Sequence, residues 1–138
     1  MSIFEIMGEL INPGSMGKMD FKYNDQNIHQ KFIPTRFAIS MMIIGIVEYL
    51  FISQSNSYNN FGYIMKANAF LFIYLLISFK INIKPDYKNL GWIPFLINNP
   101  FKFSDNINRI LVILNIFFMP GKYVSKNIVE FYKHLKIK

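Results

Sequence analysis

The sequence predicts an all-α integral membrane protein whose centre is a transmembrane helical hairpin, and three observations predict this fold class. Hydrophobic residues make up 52% of the 138-residue chain and charged residues only 17%. Two apolar stretches lie within residues 35–81, separated by the uncharged polar segment 53–60. Lysines crowd both outer flanks of this pair, which is typical of a hairpin whose ends share the positively charged side of a membrane.

Composition shifts divide the chain, which is short enough to form one domain at most, into four consecutive segments. They are an amphipathic N-terminal helix with a polar arm (1–34), the transmembrane hairpin (35–81), an interfacial segment with a short third membrane helix (82–121) and a basic amphipathic C-terminal helix (122–138).

Residues 3–11 predict a short amphipathic helix. Its apolar face carries Ile3, Phe4, Ile6, Met7, Leu10 and Ile11. Glu5 and Glu9 share the other face at a spacing of four residues, and Pro13 and Gly14 end the helix. We expect this helix to dock, either into lipid headgroups or onto the basic remainder of an assembly; packing on its own subunit is the alternative.

The hairpin follows from the lengths of its two apolar stretches and from the solvent around them. The first runs from residue 35 to 52 and the second from about 61 to 81. Each, with about 18–21 residues at about 1.5 Å per residue, covers the roughly 30 Å hydrocarbon core of a bilayer. Because lipid offers no hydrogen bonds to a backbone, we expect both stretches to be helical.

The segment 82–121 mixes aromatic, polar and proline residues. Aromatic rings favour the headgroup level of a bilayer, so four of them are expected to act as interface anchors: Trp92, Phe95, Phe101 and Phe103. Pro85, Pro94 and Pro100 exclude one continuous helix through the first part of the segment.

A shorter apolar run, residues 107–119, is predicted to end at Pro120 and Gly121. A run of this length extends only about 20 Å, which is less than a membrane requires. We therefore expect a re-entrant or tilted helix, with a full third span as the alternative. The basic tail favours the first, because a third crossing would put its lysines on the side opposite the others.

The tail, residues 122–138, predicts a cationic amphipathic helix. Its apolar side chains recur at helical spacing: Val124, Ile128, Phe131, Tyr132 and Leu135. Such a helix is suited to lying in a membrane interface. The alternative is packing on a neighbouring subunit, with the lysines solvated.

Few polar side chains interrupt the apolar stretches. With the turn centred near Ser57, Glu48 and Lys66 lie at equal depth in an antiparallel hairpin, and pairing would relieve the cost of placing charge in lipid. We expect an ion pair that fixes the hairpin, or two side chains that reach water; a proton or ion relay is the alternative. Asn68 is expected to join this polar spot, and Asn115 to contact another helix.

The sequence carries no catalytic, cofactor-binding or metal-ligating signature. The absence of cysteine excludes disulfides and thiolate ligands. His29 and His134 are isolated, and no Ser-His-Asp pattern, zinc motif or close acidic pair occurs. The net charge of +7 comes from lysines that flank apolar segments, which favours anionic lipids over nucleic acid as partners.

These features predict a non-catalytic small subunit of a multi-subunit membrane complex, with other membrane subunits and anionic lipids as its partners. Ile outnumbers Leu 23 to 10, a ratio typical of an A- and T-rich genome rather than of any demand made by lipid. An organelle-encoded accessory subunit of a respiratory-chain assembly is one instance, in a mitochondrial or bacterial inner membrane.

The alternative is a homo-oligomeric pore-forming or membrane-permeabilising protein, holin-like or a defence effector. A pore requires a polar stripe that continues through the membrane. The intramembrane polar residues of this sequence cluster at one rim instead, which weakens the pore interpretation.

Overall fold

The computed structural model describes residues 3–22, 32–53, 61–93, 99 and 101–137. In chain order they form helix α1 (Ile3–Ile11), strand β1 (Lys18–Asp20), helix α2 (Ile33–Ser53), helix α3 (Phe61–Lys80), strand β2 (Asn82–Lys84) and helix α4 (Phe103–Ile137). The fold is mostly helical, as the sequence predicts.

Helices α2 and α3 confirm the two apolar helices predicted within residues 35–81. Helix α2 holds Pro34 in its first turn, where the missing proline N–H has no intrahelical partner to lose. By length and composition α2, α3 and α4 are each long and apolar enough to cross a membrane, which suggests membrane association. The predicted turn, residues 54–60, lies outside the described residues.

Helix α4 corrects the prediction for the rest of the chain. The short third helix and the basic C-terminal helix are one helix of 35 residues, and Pro120 lies inside it. A proline in a helix interior costs about 3 kcal/mol, because it removes one N–H donor and its ring crowds the preceding turn. Packing of the flanking turns, including a close approach of Gly121 to α3, outweighs that local stop signal.

A small antiparallel sheet also corrects the all-α prediction. Strands β1 and β2 pair with Lys18 opposite Lys84, Met19 opposite Ile83, and Asp20 opposite Asn82. Each strand has three residues, which is too short for an alternating pattern to predict. The pairing helps to bury Ile83, which is 5% exposed.

The chain forms two compact units, each made from separate stretches of sequence. Unit 1 comprises Met1–Lys22 with Ile81–Phe118, and unit 2 comprises Tyr23–Lys80 with Met119–Lys138. Helix α4 contributes its first half to unit 1 and its second half to unit 2. Segments that composition separates therefore pack together within each unit.

A small apolar core holds unit 1 together. Its buried members are Ile81, Ile83 and Leu111, and the half-buried Ile107, Leu114 and Phe118 pack against them. Full burial of one such side chain is worth about 1.5–3 kcal/mol. This core fixes β2 against the first half of α4.

Candidate functional site

Unit 2 buries polar and small side chains and exposes apolar ones. Its buried described residues are Ile33, Ser40, Ser78, Gly121, Val124, Ser125, Asn127 and Glu130. Its helices meanwhile expose 63–70% of Met42, Tyr49, Phe70 and Phe72. In water, exposed apolar surface costs about 25 cal/mol per Å². In lipid, small and polar residues at helix contacts are the expected arrangement.

The Glu130 carboxylate joins α4 to α2. Its side chain is 1% exposed, and its Oε2 lies 3.3 Å from Nη1 of Arg36. Lys126, one turn earlier in α4, places its Nζ 3.7 Å from Oε1, which is within ion-pair distance but beyond hydrogen-bond distance. A buried carboxylate is costly unless it is paired, so these two cations are what make its burial tolerable.

A second polar contact lies one turn away on the same pair of helices. Asn127 Nδ2 donates a hydrogen bond to Ser40 Oγ at 2.9 Å, and Ser40 Oγ donates to the carbonyl of Arg36 at 2.9 Å. The rings of Phe37 and Phe131 stack beside these groups with centroids 4.1 Å apart. The contact between α2 and α4 therefore combines a hydrogen bond, an ion pair and a ring stack.

Helix α3 meets α4 at Gly121. A Cβ at this position would collide with Ser78 Oγ and would lie 2.6 Å from Cε1 of Tyr74. The Gly121 N–H donates a hydrogen bond to the Tyr74 hydroxyl at 3.2 Å, and Ser78 Oγ donates to the Tyr74 carbonyl at 2.7 Å. Glycine therefore permits an approach that a larger residue would prevent.

These contacts place the second half of α4 at one end of α2 and α3. The stretch 121–131 contacts α3 near its end and α2 near its beginning. The other ends of the two helices contact each other, since the Tyr63 hydroxyl donates to the Phe51 carbonyl at 3.2 Å. The basic tail of α4 therefore meets the positively charged end of the pair, which carries Arg36 and Lys80.

In unit 1 the buried side chain of Asn108 ties α4 to two loops. Its Oδ1 accepts hydrogen bonds from the N–H groups of Gly17 at 2.7 Å and Asp86 at 3.2 Å. Its Nδ2 donates to the carbonyls of Ser15 and Asn89, both at 3.0 Å. All four hydrogen bonds that an amide side chain can readily make are formed, so Asn108 cross-links the loops that flank the sheet.

Glu9 joins α1 to the start of α4. Its Oε1 accepts from the Gly14 N–H at 2.6 Å, and its Oε2 accepts from the Ser104 N–H at 3.1 Å. Desolvation raises the pKa of Glu9, but hydrogen bonds from Ser104 and Gly14 and the charge of Lys102 outweigh it and hold the pKa below its ordinary value. The carboxylate thereby caps the first turn of α4.

Two aspartates of unit 1 also accept hydrogen bonds. Asp86 accepts hydrogen bonds from the Ser15 hydroxyl and the Lys88 N–H, and these bonds lower the pKa of Asp86. Asp105 is fully buried, and its Oδ2 accepts from the Asn99 N–H at 2.8 Å. Among the described residues, its Oδ1 has no hydrogen-bond partner. The acidic groups of these loops therefore act as acceptors for the chain's own backbone.

The polar residues that the sequence singled out within its apolar stretches do not take part in these contacts. Glu48 is half-buried on α2 and Lys66 is exposed on α3, and within the described residues no ion pair joins them. Their pairing stays a prediction. Asn68 is exposed and donates to the carbonyl of Ile64 in its own helix at 3.0 Å. Asn115 is half-buried on α4.

The predicted interface anchors remain near the surface where they are described. Trp92 is 64% exposed and Phe101 is 52% exposed. Phe103 is half-buried at the first position of α4, and Phe95 lies outside the described residues. Their role at a membrane interface stays a prediction.

Sequence reasoning missed the polar residues that hold the helices together. Arg36 and Ser40 share one face of α2 at a spacing of four residues, and Asn127 and Glu130 share one face of α4 at a spacing of three. Two matched polar faces on helices that otherwise expose apolar surface are a signal that could have found this contact. The role of Asn108 had no such signal, because its partners are backbone groups of distant loops.

Within the part of the chain that the structure describes, no group of three or more His, Asp or Glu side chains could hold a metal ion. Searches against protein-family models, curated proteins and solved structures find no match to this chain. Function is therefore inferred from its residues and contacts alone.

Proposed function

We propose that this chain is a non-catalytic subunit of a multi-subunit membrane complex. The observation that carries the proposal is the reversed burial of unit 2, whose helices meet through serine, glycine, asparagine and an ion pair while their apolar side chains point outward. Such helices require lipid or neighbouring protein around them. The membrane supplies part of that cover, and partner subunits supply the rest.

Helix α4 supports the presence of partner subunits. Its first half exposes 57–63% of Ile110, Ile113, Ile116 and Phe117. The half-buried Asn115 lies on the same stretch, and within the described residues its side chain has no hydrogen-bond partner. An amide in an apolar environment favours a bond across helices, so a neighbouring helix is the natural source of one.

The polar clusters support a structural role. The hydrogen bonds of Asn108 are all taken by its own loops, and Glu130 is held by cations of α2 and α4. Groups engaged in this way fix the shape of a subunit, whereas a catalytic group must remain available to a substrate.

Within this proposal the membrane is a mitochondrial or bacterial inner membrane. The A- and T-rich residue usage fits an organelle genome or an A- and T-rich bacterium, and an organelle-encoded accessory subunit of a respiratory-chain assembly is one instance of the proposal. The second half of α4 contacts the positively charged end of α2 and α3, so we place the basic tail in the interface on the positive side of the membrane.

Site-specific photocrosslinking in native membranes tests the proposal. A photoreactive residue in place of the exposed Ile113 is expected to crosslink to a different protein of defined mass, because this face of α4 needs a partner. The same residue in place of Leu111, which is 6% exposed two positions earlier, is the matched control and is expected to crosslink only within the chain.

Two outcomes would contradict the proposal. If Ile113 crosslinks only to lipid and the chain purifies alone, the chain has no partner subunits and the proposal is wrong. Crosslinks only to further copies of this chain, together with ion flux through liposomes that contain the purified protein, would favour the pore-forming alternative instead.

A further inference from the structure

Helix α1 turns its polar side toward its own protein and its apolar side away. Glu9 binds the start of α4, and a Cβ at Gly8 would collide with the carbonyl oxygen of Phe101. The opposite face exposes 47–84% of every apolar side chain: Ile3, Phe4, Ile6, Met7, Leu10 and Ile11. A surface helix of a water-soluble domain shows the reverse arrangement.

The charges of unit 1 are sorted in a similar way. Three of its acidic residues, Glu9, Asp86 and Asp105, accept hydrogen bonds within the unit, and Glu5 of α1 is half-buried. Its exposed charged side chains, among the described residues, are Lys18, Asp20, Lys22, Lys84 and Lys88. The exposed charged residues of the unit that the structure describes are therefore four cations and one anion, which gives its surface a positive surplus.

The sheet concentrates this positive charge. Lys18 stands directly opposite Lys84 in the register, and both are exposed. Like charges at directly opposed positions destabilise a strand pair. Asp20 lies on the same face and offsets only part of the repulsion, so an external anion near the pair would stabilise the sheet.

We propose that α1 is an in-plane membrane anchor that inserts its apolar face into a leaflet of anionic lipid, with the lysines of unit 1 against the headgroups. An exposed apolar helix face combined with surplus lysine is what binds anionic bilayer surfaces. Docking into a groove on another protein would require the apolar face but not the surplus lysines. The inference rests on the membrane placement in the proposed function but not on the presence of other subunits.

Depth-dependent fluorescence quenching of the full chain in vesicles tests the inference. Trp92 is the chain's single tryptophan, so a Trp92→Phe background with Leu10→Trp gives one reporter on the apolar face of α1. In vesicles with phosphatidylglycerol, lipids brominated near the headgroup are expected to quench this reporter, and aqueous acrylamide is not. Quenching by the lipids is expected to be about twofold weaker in phosphatidylcholine vesicles, because the headgroup attraction is absent.

Two variants separate the contributions of the apolar face and of the lysines. Met7→Lys, which changes a side chain that is 56% exposed, is expected to abolish lipid quenching of the reporter without unfolding unit 1. The pair Lys18→Gln and Lys84→Gln is expected to remove the difference between the two lipids while the apolar insertion remains.

Acrylamide quenching without lipid quenching would overturn the inference, because α1 would then lie in water. Protection from both quenchers would overturn it too, because protein would cover the helix. Equal lipid quenching in the two kinds of vesicle would overturn the claim that α1 prefers anionic lipid. Extraction of the whole chain by alkaline carbonate would instead contradict the membrane placement in the proposed function, which keeps the two failures distinguishable.

Discussion

The two units of this chain bury their side chains in opposite ways. In unit 1 the buried residues are mostly aliphatic: Ile81, Ile83, Leu90, Leu111 and Val112, with Ser104, Asp105 and Asn108. In unit 2 they are mostly polar: Ser40, Ser78, Ser125, Asn127 and Glu130, with Ile33, Gly121 and Val124. Both lists cover the described residues only.

The difference shows two sources of packing. The apolar core of unit 1 comes from its own residues, whereas the apolar side chains of unit 2 are left for its surroundings to cover. Unit 1 has an apolar core and a polar network that closes on its own backbone, although α1 and the first half of α4 also expose apolar faces. Unit 2 has few apolar contacts of its own, and its helices need an apolar environment that makes their polar contacts worth forming. Substitutions should therefore act differently in the two units.

The largest effect is expected at the centre of unit 1. Asn108→Leu removes the four hydrogen bonds of a fully buried amide. The half-buried N–H groups of Gly17 and Asp86 lose their acceptor, so the free energy of unfolding should fall by about 4 kcal/mol. Denaturant titration in detergent measures this. Asn115→Leu is the matched control on the same helix and should change the free energy of unfolding of the isolated chain by less than about 1 kcal/mol, since Asn115 has no hydrogen-bond partner among the described residues. Similar losses from both variants would contradict the account of unit 1.

The ion pair of unit 2 should give the next largest effect. Glu130→Leu leaves Arg36 without its buried partner and should cost about 2 kcal/mol, less than for a wholly buried pair because Arg36 is 25% exposed. Adding Arg36→Leu should cost less than the sum of the two single changes. Strict additivity would mean that the pair does not interact. The same cycle at Glu48 and Lys66 measures the pair that the sequence predicts.

A smaller effect is expected from the glycine between α3 and α4. Gly121→Ala should destabilise unit 2 by about 1–2 kcal/mol, because the added methyl group meets Tyr74 and Ser78. Gly45→Ala is the matched control, since a Cβ at Gly45 meets nothing within 4 Å, and it should stabilise α2 by up to about 1 kcal/mol. Equal effects of the two changes on thermal unfolding would remove the evidence for close packing at Gly121.

The pH dependence of α1 should be the smallest of these effects. The pKa of Glu9 is lowered in the folded chain, so its contribution is present above the unfolded pKa of about 4.3 and is lost as pH falls through the folded pKa. Hydrogen exchange of the Ser104 amide should therefore speed up in acid beyond its intrinsic change. Glu9→Gln should remove this pH dependence, whereas Asp86→Asn should preserve it.

The sequence was sufficient to predict α2 and α3, because their length and apolar composition are properties of single segments. It was misleading at Pro120, where a local stop signal competed with packing that only the folded chain supplies. It was silent on β1 and β2, because three residues per strand carry no periodicity. The amphipathic pattern of α1 was visible, but not that its polar side would face inward.

The polar contacts were harder to predict than the helices. Glu48 and Lys66 stood out because a charge in an apolar run is conspicuous. Glu130 did not stand out, because it lies in a basic tail where charged residues are frequent. The structural role of a charged residue in this chain depends on whether the fold buries it. Burial depends in turn on which helix packs over the residue.

The proposed function requires that the apolar exterior of unit 2 faces lipid. Because the chain contains no cysteine, a single cysteine carries a spin label without background in the purified chain reconstituted into bilayers. Labels at Phe72, which is 63% exposed, and at Tyr87 in the loop after β2, which is 61% exposed, compare two equally open positions. The label at Phe72 should be relaxed by oxygen and protected from a water-soluble nickel chelate, and the label at Tyr87 should show the reverse. Equal access of the chelate to both labels would contradict the account.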